Sequence, residues 1–481
     1  MRLRVPAGDD LRTNETRISL SSIFSSRPPM QTTEPSPVEA ASPASVALPM
    51  DKSSAIARAL IFLRSMGVRD SLVTVMAMGL AGMLDYAVNV VAGRWLVPIE
   101  YGIFIAVAAV VQVLSQLTNA IRNVVAFYTA ELSSGRDGSP GVSAFVQRAL
   151  RWGWQWGLLA TAVMILISPL LAHALRLPNT WPLWAASPVV LMCFIRTVTD
   201  GALQGLQSFA GFGAVQVAQS LLRLLLAAGL IWLGFQAAGA IIALPIAMAM
   251  VLLFALWLLR PQFSNRGGTA REISWHYSTH TLLGLAAFAI LANMDALFVK
   301  HFYSPGMAGN YGPVVTLAKM SLFVPLALGI VVLPKAARRH ASGRDPRPIL
   351  LLALTATLLP GFALTAMYLL YPSLIVRTIF TAAYSNPGIV LGMANLAASF
   401  YAGLNIWLNY ALSLNRLSFI YILVGVLICQ GAGMYLLGRD SLVHMTMVMA
   451  GCGLIGNLAG FLTTWSGFAA SETPATSAVS L

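Results

Sequence analysis

Apolar runs of about 20 residues recur along almost the whole chain, and each is long enough to cross a bilayer as a helix. Of the 481 residues, 57% are hydrophobic and 10% are charged, whereas soluble domains carry about 25% charged residues. The sequence therefore predicts an all-α polytopic membrane protein. About twelve spans are expected, near 71–92, 102–126, 152–172, 183–203, 212–233, 237–259, 279–300, 311–333, 348–370, 387–411, 416–437 and 441–464.

Lysine and arginine are concentrated on one side of the predicted membrane. With twelve spans both termini share a side, and roughly sixteen basic residues lie in the loops there, against about five on the other side. The positive-inside rule then predicts a multi-pass protein of the inner (plasma) membrane with both termini in the cytoplasm. This distribution accounts for the net charge of +13 without a nucleic-acid partner.

The rest of the chain divides around these spans. Residues 1–50 are rich in Pro, Ser and Thr and are expected to be a disordered tail. Residues 51–70 combine Lys and Arg with apolar residues and predict a basic amphipathic helix on the membrane surface. Two six-helix lobes, 71–260 and 279–465, are then joined by a cytoplasmic loop at 261–278 and followed by a short tail at 466–481.

A short motif occurs twice, with its copies 210 positions apart. The matched residues are Asp85 and Asp295, Tyr101-Gly102 and Tyr311-Gly312, and Ser208-Phe209 and Ser418-Phe419. Six predicted spans separate the copies, so both would run in the same direction through the membrane. The spacing indicates an internal duplication in parallel orientation, which is one of the known transporter architectures.

Ionisable residues within the spans are the first candidates for a functional site, because a charge in the bilayer is costly and usually faces a cavity or a partner. These residues are Asp85, Arg122, Arg196, Asp200, Arg223, Asp295 and Lys319. Arg196 and Asp200 are four residues apart on one helix, which favours a structural ion pair. Lys319 has no acid at neighbouring helical positions, which favours an aqueous cavity or an anionic ligand.

Two further groups allow both a functional and a structural interpretation. Gln112, Gln116, Asn119 and Asn123 form one polar stripe on the second span, which could line a water-filled cavity or provide hydrogen bonds between helices. Asp85 and Asp295 are candidates for ion coupling or gating, or could pair structurally with neighbouring groups. Arg223, on a face with two glutamines, is open to either interpretation.

No motif predicts an enzyme, a cofactor or a metal site. Walker A, HExxH and GxSxG sequences are absent. Cys193, Cys429 and Cys452 all fall within apolar runs, without the spacing of a disulfide framework or a zinc site.

The region around the second copy of the motif resembles the polysaccharide and O-antigen flippases of the multidrug/oligosaccharidyl-lipid/polysaccharide (MOP) exporter superfamily. The segments that carry the resemblance are Asp295 to Lys300, Ala308 to Tyr311, Lys319, Leu333-Pro334-Lys335, Glu100 to Phe104 and, less closely, 377–386, where Thr381 and Ala382 replace a common glycine. The resemblance covers about residues 70–465.

It implies two pseudo-symmetric six-helix bundles in a V-shaped fold like that of multidrug and toxic compound extrusion (MATE) transporters. The implied function is to move an undecaprenyl-pyrophosphate-linked oligosaccharide across the inner membrane. The expected partners are this substrate, membrane lipids, and polysaccharide polymerase and glycosyltransferases. The pyrophosphate would bind Arg122, Lys319 and Arg223, with Lys319 facing Arg122.

Three alternatives stay open. A cation-coupled multidrug exporter of the same fold would depend on Asp85 and Asp295 instead. A lipid II flippase usually has fourteen spans, which disfavours it. A membrane polysaccharide polymerase would need a large outer loop, and the predicted outer loops are short.

Overall fold

A computed structural model of the chain describes residues 68–134, 138–264, 276–322, 345–414 and 418–469. All regular elements in these ranges are helical. The α-helices are α1 (Val68–Trp95), α2 (Pro98–Ser134), α3 (Gly138–Ala174), α4 (Trp181–Ala186), α5 (Pro188–Gly205), α6 (Phe209–Leu230), α7 (Gln236–Leu258), α8 (Pro261–Ser264), α9 (His276–Leu291), α10 (Met294–Phe302), α11 (Pro305–Ala318), α12 (Arg347–Leu370), α13 (Pro372–Ile379), α14 (Ile389–Ser413), α15 (Ser418–Leu437) and α16 (Leu442–Ala469).

The helices have the lengths that membrane crossing requires. Nine stretches among the described residues are long and apolar enough to span a bilayer, and a tenth is the bent pair formed by α9 and α10. The stretch Phe209–Leu258 contains both α6 and α7, which a π-helical turn at Ile231–Phe235 separates and which pack against each other. It therefore accounts for two crossings. The all-α polytopic fold predicted from the sequence is confirmed.

Several predicted segments lie largely outside the described residues. They are the tail 1–50, most of the surface helix 51–70, the centre of the loop 261–278, the end of the eighth span and most of the tail 466–481. At the first boundary the structure differs from the prediction, because α1 already begins at Val68. The apolar pattern marks where a span becomes hydrophobic, whereas the helix continues into the preceding residues.

The two halves of the chain, 68–264 and 276–469, repeat the same packing. In the first half α1 packs on α6, α2 on α5, and α5 on both α3 and α7. In the second half the equivalent pairs are α9 on α15, α11 on α14, and α14 on both α12 and α16. The 210-residue offset found in the sequence therefore corresponds to a repeated arrangement of helices.

The halves meet where α2 and α11 begin, and the repeated Tyr-Gly motif forms this contact. A Cβ atom built on Gly102 would lie 3.0 Å from the Cα of Gly309, and one built on Gly312 would lie 2.5 Å from the ring of Tyr101. The Tyr101 hydroxyl lies 2.6 Å from the Thr316 hydroxyl oxygen, so the two share a hydrogen bond. Gly102 is required because the two backbones approach each other so closely, and Gly312 is required because the Tyr101 ring packs directly against it.

Polar contacts beside α13 extend this contact between the halves. Arg94 donates to the carbonyl oxygens of Thr378 and Ile379 at 2.6 and 2.8 Å. These carbonyls belong to the last turn of a helix, where the backbone lacks partners of its own. The Tyr384 hydroxyl donates to the Gly93 carbonyl oxygen at 2.7 Å, and burial raises the pKa of this hydroxyl, so it stays protonated. We call this contact region, around Arg94, Tyr101, Gly309 and Tyr384, the closed end.

Candidate functional site

A cavity of about 400 Å³ lies between the two halves. Its walls come from α1, α2 and α4 to α7 of the first half and from α9, α11 and α14 of the second. The charged side chains on these walls are Asp85, Arg223 and Lys319, and the uncharged polar ones include Asn89, Gln112, Ser115, Gln116, Gln219, Asn293, Thr316 and Asn405. Apolar walls with a few convergent polar groups are typical of ligand sites.

The polar stripe predicted on the second span lies on α2, and only its N-terminal part reaches the cavity. Gln112 and Gln116 line the cavity. Asn119 donates to the side-chain oxygen of Gln116 at 2.6 Å, but neither Asn119 nor Asn123 is among the lining residues. Asn123 is exposed and lies closer to the C-terminal end of α2. The stripe thus combines cavity-lining residues with a hydrogen bond along the helix surface.

Asp85 and Arg223 form an ion pair on the wall of the first half. Nη1 of Arg223 lies 3.1 Å from Oδ1 of Asp85, and the Ser220 hydroxyl donates to Oδ2 at 3.1 Å. The Asp85 side chain is 38% exposed and the Arg223 side chain 15%. The pair is therefore open to the cavity, with its carboxylate the more accessible partner.

Lys319 occupies the opposite wall, at the start of a 3₁₀ turn that follows α11. Its Nζ donates to Oδ1 of Asn293 at 2.7 Å. Asn293 lies in the break between α9 and α10, where the helix axis bends by 45°. Among the side chains that the structure describes, no carboxylate oxygen lies within 4.0 Å of the Lys319 ammonium. The ammonium is thus held by a neutral acceptor.

Asp295 lies behind this wall and does not line the cavity. Its side chain is buried, and Oδ2 accepts a hydrogen bond of 3.2 Å from the Tyr311 hydroxyl. Within the described part of the chain, Oδ1 has no hydrogen-bond partner. The two copies of the motif have therefore diverged, since Asp85 pairs with an arginine at the cavity whereas Asp295 contacts the tyrosine of its own copy.

A buried ion pair between Arg196 and Asp200 lies within the first half, and neither residue lines the cavity. Arg196 Nη2 lies 3.0 Å from Oδ2 of Asp200 and 2.9 Å from the Gln216 side-chain oxygen, and Nη1 donates to Gln219. Both charged side chains are less than 10% exposed. Gln219 also lines the cavity, so it connects the buried network with the wall.

Arg122 is not among the described residues that line this cavity, and its expected position facing Lys319 stays a prediction. Arg122 interacts electrostatically with Asp200 and Arg196, and its backbone packs on Gly201. Within the described ranges, the cation that lines the cavity together with Lys319 is Arg223. Helical spacing placed Arg122 beside the polar stripe, but the ten-residue rise from Gln112 carries it about 15 Å along the axis.

Two polar residues of the site did not emerge from the sequence. Asn293 precedes Asp295 by two positions, and its role depends on a helix break that no Pro or Gly signals. Ser220 shares a helical face with Gln216 and Arg223, so helical periodicity could have identified it. Among the described residues, no three His, Cys, Asp or Glu side chains are close enough to hold a metal ion.

No family model and no curated protein matches the sequence. Solved structures do resemble the chain. An inward-facing multidrug resistance MATE family transporter of the MOP superfamily matches with a TM-score of 0.67 at 13% identity, over 84% of this chain and all of the other. An outward-facing MATE family transporter of that superfamily gives a TM-score of 0.59 at 14% identity, over 83% of this chain and 96% of the other.

The lipid II flippase MurJ, in an inward closed conformation, matches with a TM-score of 0.63 at 13% identity, over 83% of this chain and 87% of the other. These matches extend along most of each chain and include both halves. At such low identity they establish the fold and leave the substrate open. The chain is a multi-pass membrane protein with the fold of MOP superfamily transporters.

Proposed function

We propose that the protein is a MOP superfamily transporter that moves a lipid-linked oligosaccharide, carried on undecaprenyl pyrophosphate, across the inner membrane. The fold supports a transporter, and the sequence resemblance to polysaccharide and O-antigen flippases supports this class of substrate. The observation that carries the proposal is the Lys319 ammonium, which lines the inter-half cavity without a carboxylate in contact among the described residues.

The charges on the cavity wall favour an anionic head group. Among the described residues, the charged side chains that line the cavity are Arg223, Lys319 and Asp85, so the formal sum of these three is positive. A pyrophosphate offers several oxygens, and hydrogen bonds between ionised partners are roughly twice as strong as neutral ones. Gln112 and Gln116 would donate to the remaining phosphate or sugar oxygens.

Arg122, Asn119 and Asn123 keep a proposed role on the approach to the cavity. They lie on α2 farther from the closed end than Gln112 does. A head group that enters from the side opposite the closed end would therefore pass them before it reaches Lys319. With both termini in the cytoplasm, as the positive-inside rule predicts, that side is the cytoplasm, where glycosyltransferases would supply the substrate.

The membrane potential can drive this movement. Carrying two negative charges outward across a potential of 100 mV, negative inside, releases about 4.6 kcal/mol, at about 2.3 kcal/mol per charge. The transport step then needs no nucleotide hydrolysis. Alternating exposure of the cavity would require the closed end to open on the outer side, where a polysaccharide polymerase would receive the product.

A cation-coupled multidrug exporter is the second candidate. The observation in its favour is the accessible Asp85 carboxylate on the cavity wall, which could attract a cationic compound or a coupling proton. The similarity to multidrug resistance transporters also supports it. The two functions differ in the charge that the cavity must accept.

Cells that lack the gene provide the test. Complementation with the wild-type chain should restore surface polysaccharide, and Lys319→Ala should abolish it while the protein remains in the membrane. Arg122→Ala should reduce polysaccharide less, because Arg122 does not line the cavity. Normal polysaccharide in the deletion strain, together with increased sensitivity to cationic drugs, would favour the exporter.

A further inference from the structure

We propose that Asn293 determines which charge the cavity accepts, because it holds Lys319 with a neutral oxygen and leaves the ammonium positive toward the cargo. This inference rests on the proposed function, in which the cargo carries an anionic head group. It assigns a role to a residue in a helix break, where neither helical periodicity nor a motif singles it out.

The position of Asn293 is fixed from two sides. Its Nδ2 donates to the Ala289 carbonyl oxygen at 2.8 Å, so its Oδ1 must point the other way, toward Lys319. The side chain is only 3% exposed, yet it contributes to the cavity wall. Because the amide cannot rotate without losing the bond to Ala289, Asn293 presents an acceptor to the ammonium in one orientation.

The carboxylate nearest in sequence is kept apart from this contact. Asp295 lies two residues farther along, buried and bonded to Tyr311, and its attraction for Lys319 acts over more than the 4.0 Å of an ion pair. A carboxylate at position 293 would instead contact the ammonium directly. With asparagine at position 293, Lys319 can bind an anion. With aspartate there, the charge of Lys319 would already be neutralised.

The opposite wall shows what such neutralisation looks like. Arg223 also lines the cavity, but Asp85 contacts it at 3.1 Å. The two cations therefore differ in their partners, because Arg223 contacts a carboxylate and Lys319 contacts a neutral amide oxygen. Replacing Asn293 by Asp would give each wall one cation paired with a carboxylate, and the sum of the lining charges that the structure describes would change from positive to neutral.

The experiment measures two ligands on the purified full-length protein. Undecaprenyl pyrophosphate is the anionic probe, and tetraphenylphosphonium is the cationic probe. Asn293→Asp is expected to weaken binding of the pyrophosphate about 10- to 100-fold, because a charge-assisted contact is lost, and to strengthen binding of the phosphonium. Opposite changes in the binding of the two probes would follow the sign of the added charge.

Two further variants separate charge from structure. Asn405→Asp adds a carboxylate to the same cavity, at a residue whose side chain contacts Asn409 and not Lys319. It should weaken pyrophosphate binding by only about threefold, as expected for a charge acting at a distance. Asn293→Leu removes the acceptor but adds no charge, and it should weaken binding less than Asn293→Asp does.

The outcomes distinguish the inference from the proposed function. If the wild-type protein binds undecaprenyl pyrophosphate but Asn293→Asp and Asn405→Asp weaken it equally, the role of Asn293 is refuted and the flippase proposal stands. If the wild-type protein binds only the phosphonium, the proposed function fails and this inference fails with it.

Discussion

Gly309 at the closed end allows a direct test of how the two halves separate. A Cβ atom at this position would lie 2.5 Å from the carbonyl carbon of Pro98, whereas carbon atoms in good contact are about 3.5–4.0 Å apart. Gly309→Ala would therefore push the start of α2 away from α11 by about 1 Å. The change is small in volume, but it falls on backbone, which cannot move aside as a flexible side chain can.

The expected size of the effect follows from overpacking. Inserting a methyl group into a tight contact costs about 1–3 kcal/mol. The cost applies only while the halves are in contact, so the ratio of open to closed molecules should rise about 5- to 150-fold. The contact at Gly102 and Gly309 would then limit how often the cavity opens at this end.

Thiol labelling measures this ratio. Ala108 lines the cavity, and Ala108→Cys in a chain whose three native cysteines are replaced gives one reporter. A membrane-impermeant maleimide is added from the side of the closed end, which the predicted topology makes the outside. Gly309→Ala should increase the labelling rate within the range given above.

Gly306→Ala is the matched control. Gly306 lies on the same helix, and a Cβ atom there would meet no atom within 4 Å. Both substitutions replace glycine by alanine in α11, which favours the helix by at most roughly 1 kcal/mol, so the contact is the main difference between them. Equal labelling rates in the two variants would refute the assignment of this contact as the closed end.

Three more predictions follow from individual contacts. Arg94→Ala removes two hydrogen bonds to α13, each worth about 0.5–1.5 kcal/mol, and should raise the same labelling rate, but less than Gly309→Ala does. Arg196→Met removes the cation in direct contact with the buried Asp200 and should destabilise the protein by about 3–5 kcal/mol, seen as a lower melting temperature in detergent. Arg223→Ala should reduce polysaccharide export more than Arg223→Lys, which keeps a cation beside Asp85; equal defects would contradict a role for this charge.

The fold could be predicted because the bilayer imposes strict rules on the sequence. A span must be apolar and about 20 residues long, so hydropathy located most helix ends within a few residues. The main exceptions are α2, which ends at Ser134 and not at 126, and α3, which begins at Gly138 and not at 152. The Arg196–Asp200 contact was equally accessible, since residues four apart on one helix are neighbours. The repeated Tyr-Gly motif indicated a duplication, although its position at the contact between the halves required the structure.

The site was harder to predict because its contacts join distant parts of the chain. Asp85 and Arg223 are separated by 138 residues, and no local spacing relates them. Lys319 meets Asn293 only because the helix breaks before Met294. Periodicity identifies the face on which a residue lies but says nothing of its depth along the helix, so it could not show that Gln112 lines the cavity and Arg122 does not.

Reconstitution into liposomes tests the central proposal most directly. Purified protein is inserted into vesicles that contain a fluorescent undecaprenyl-pyrophosphate oligosaccharide, and a quencher added outside reports which leaflet holds the lipid. The proposed function predicts transfer between leaflets that an applied membrane potential accelerates and that Lys319→Ala abolishes. Lipid that remains in its original leaflet with the wild-type protein, while the same vesicles transport a cationic dye, would contradict it.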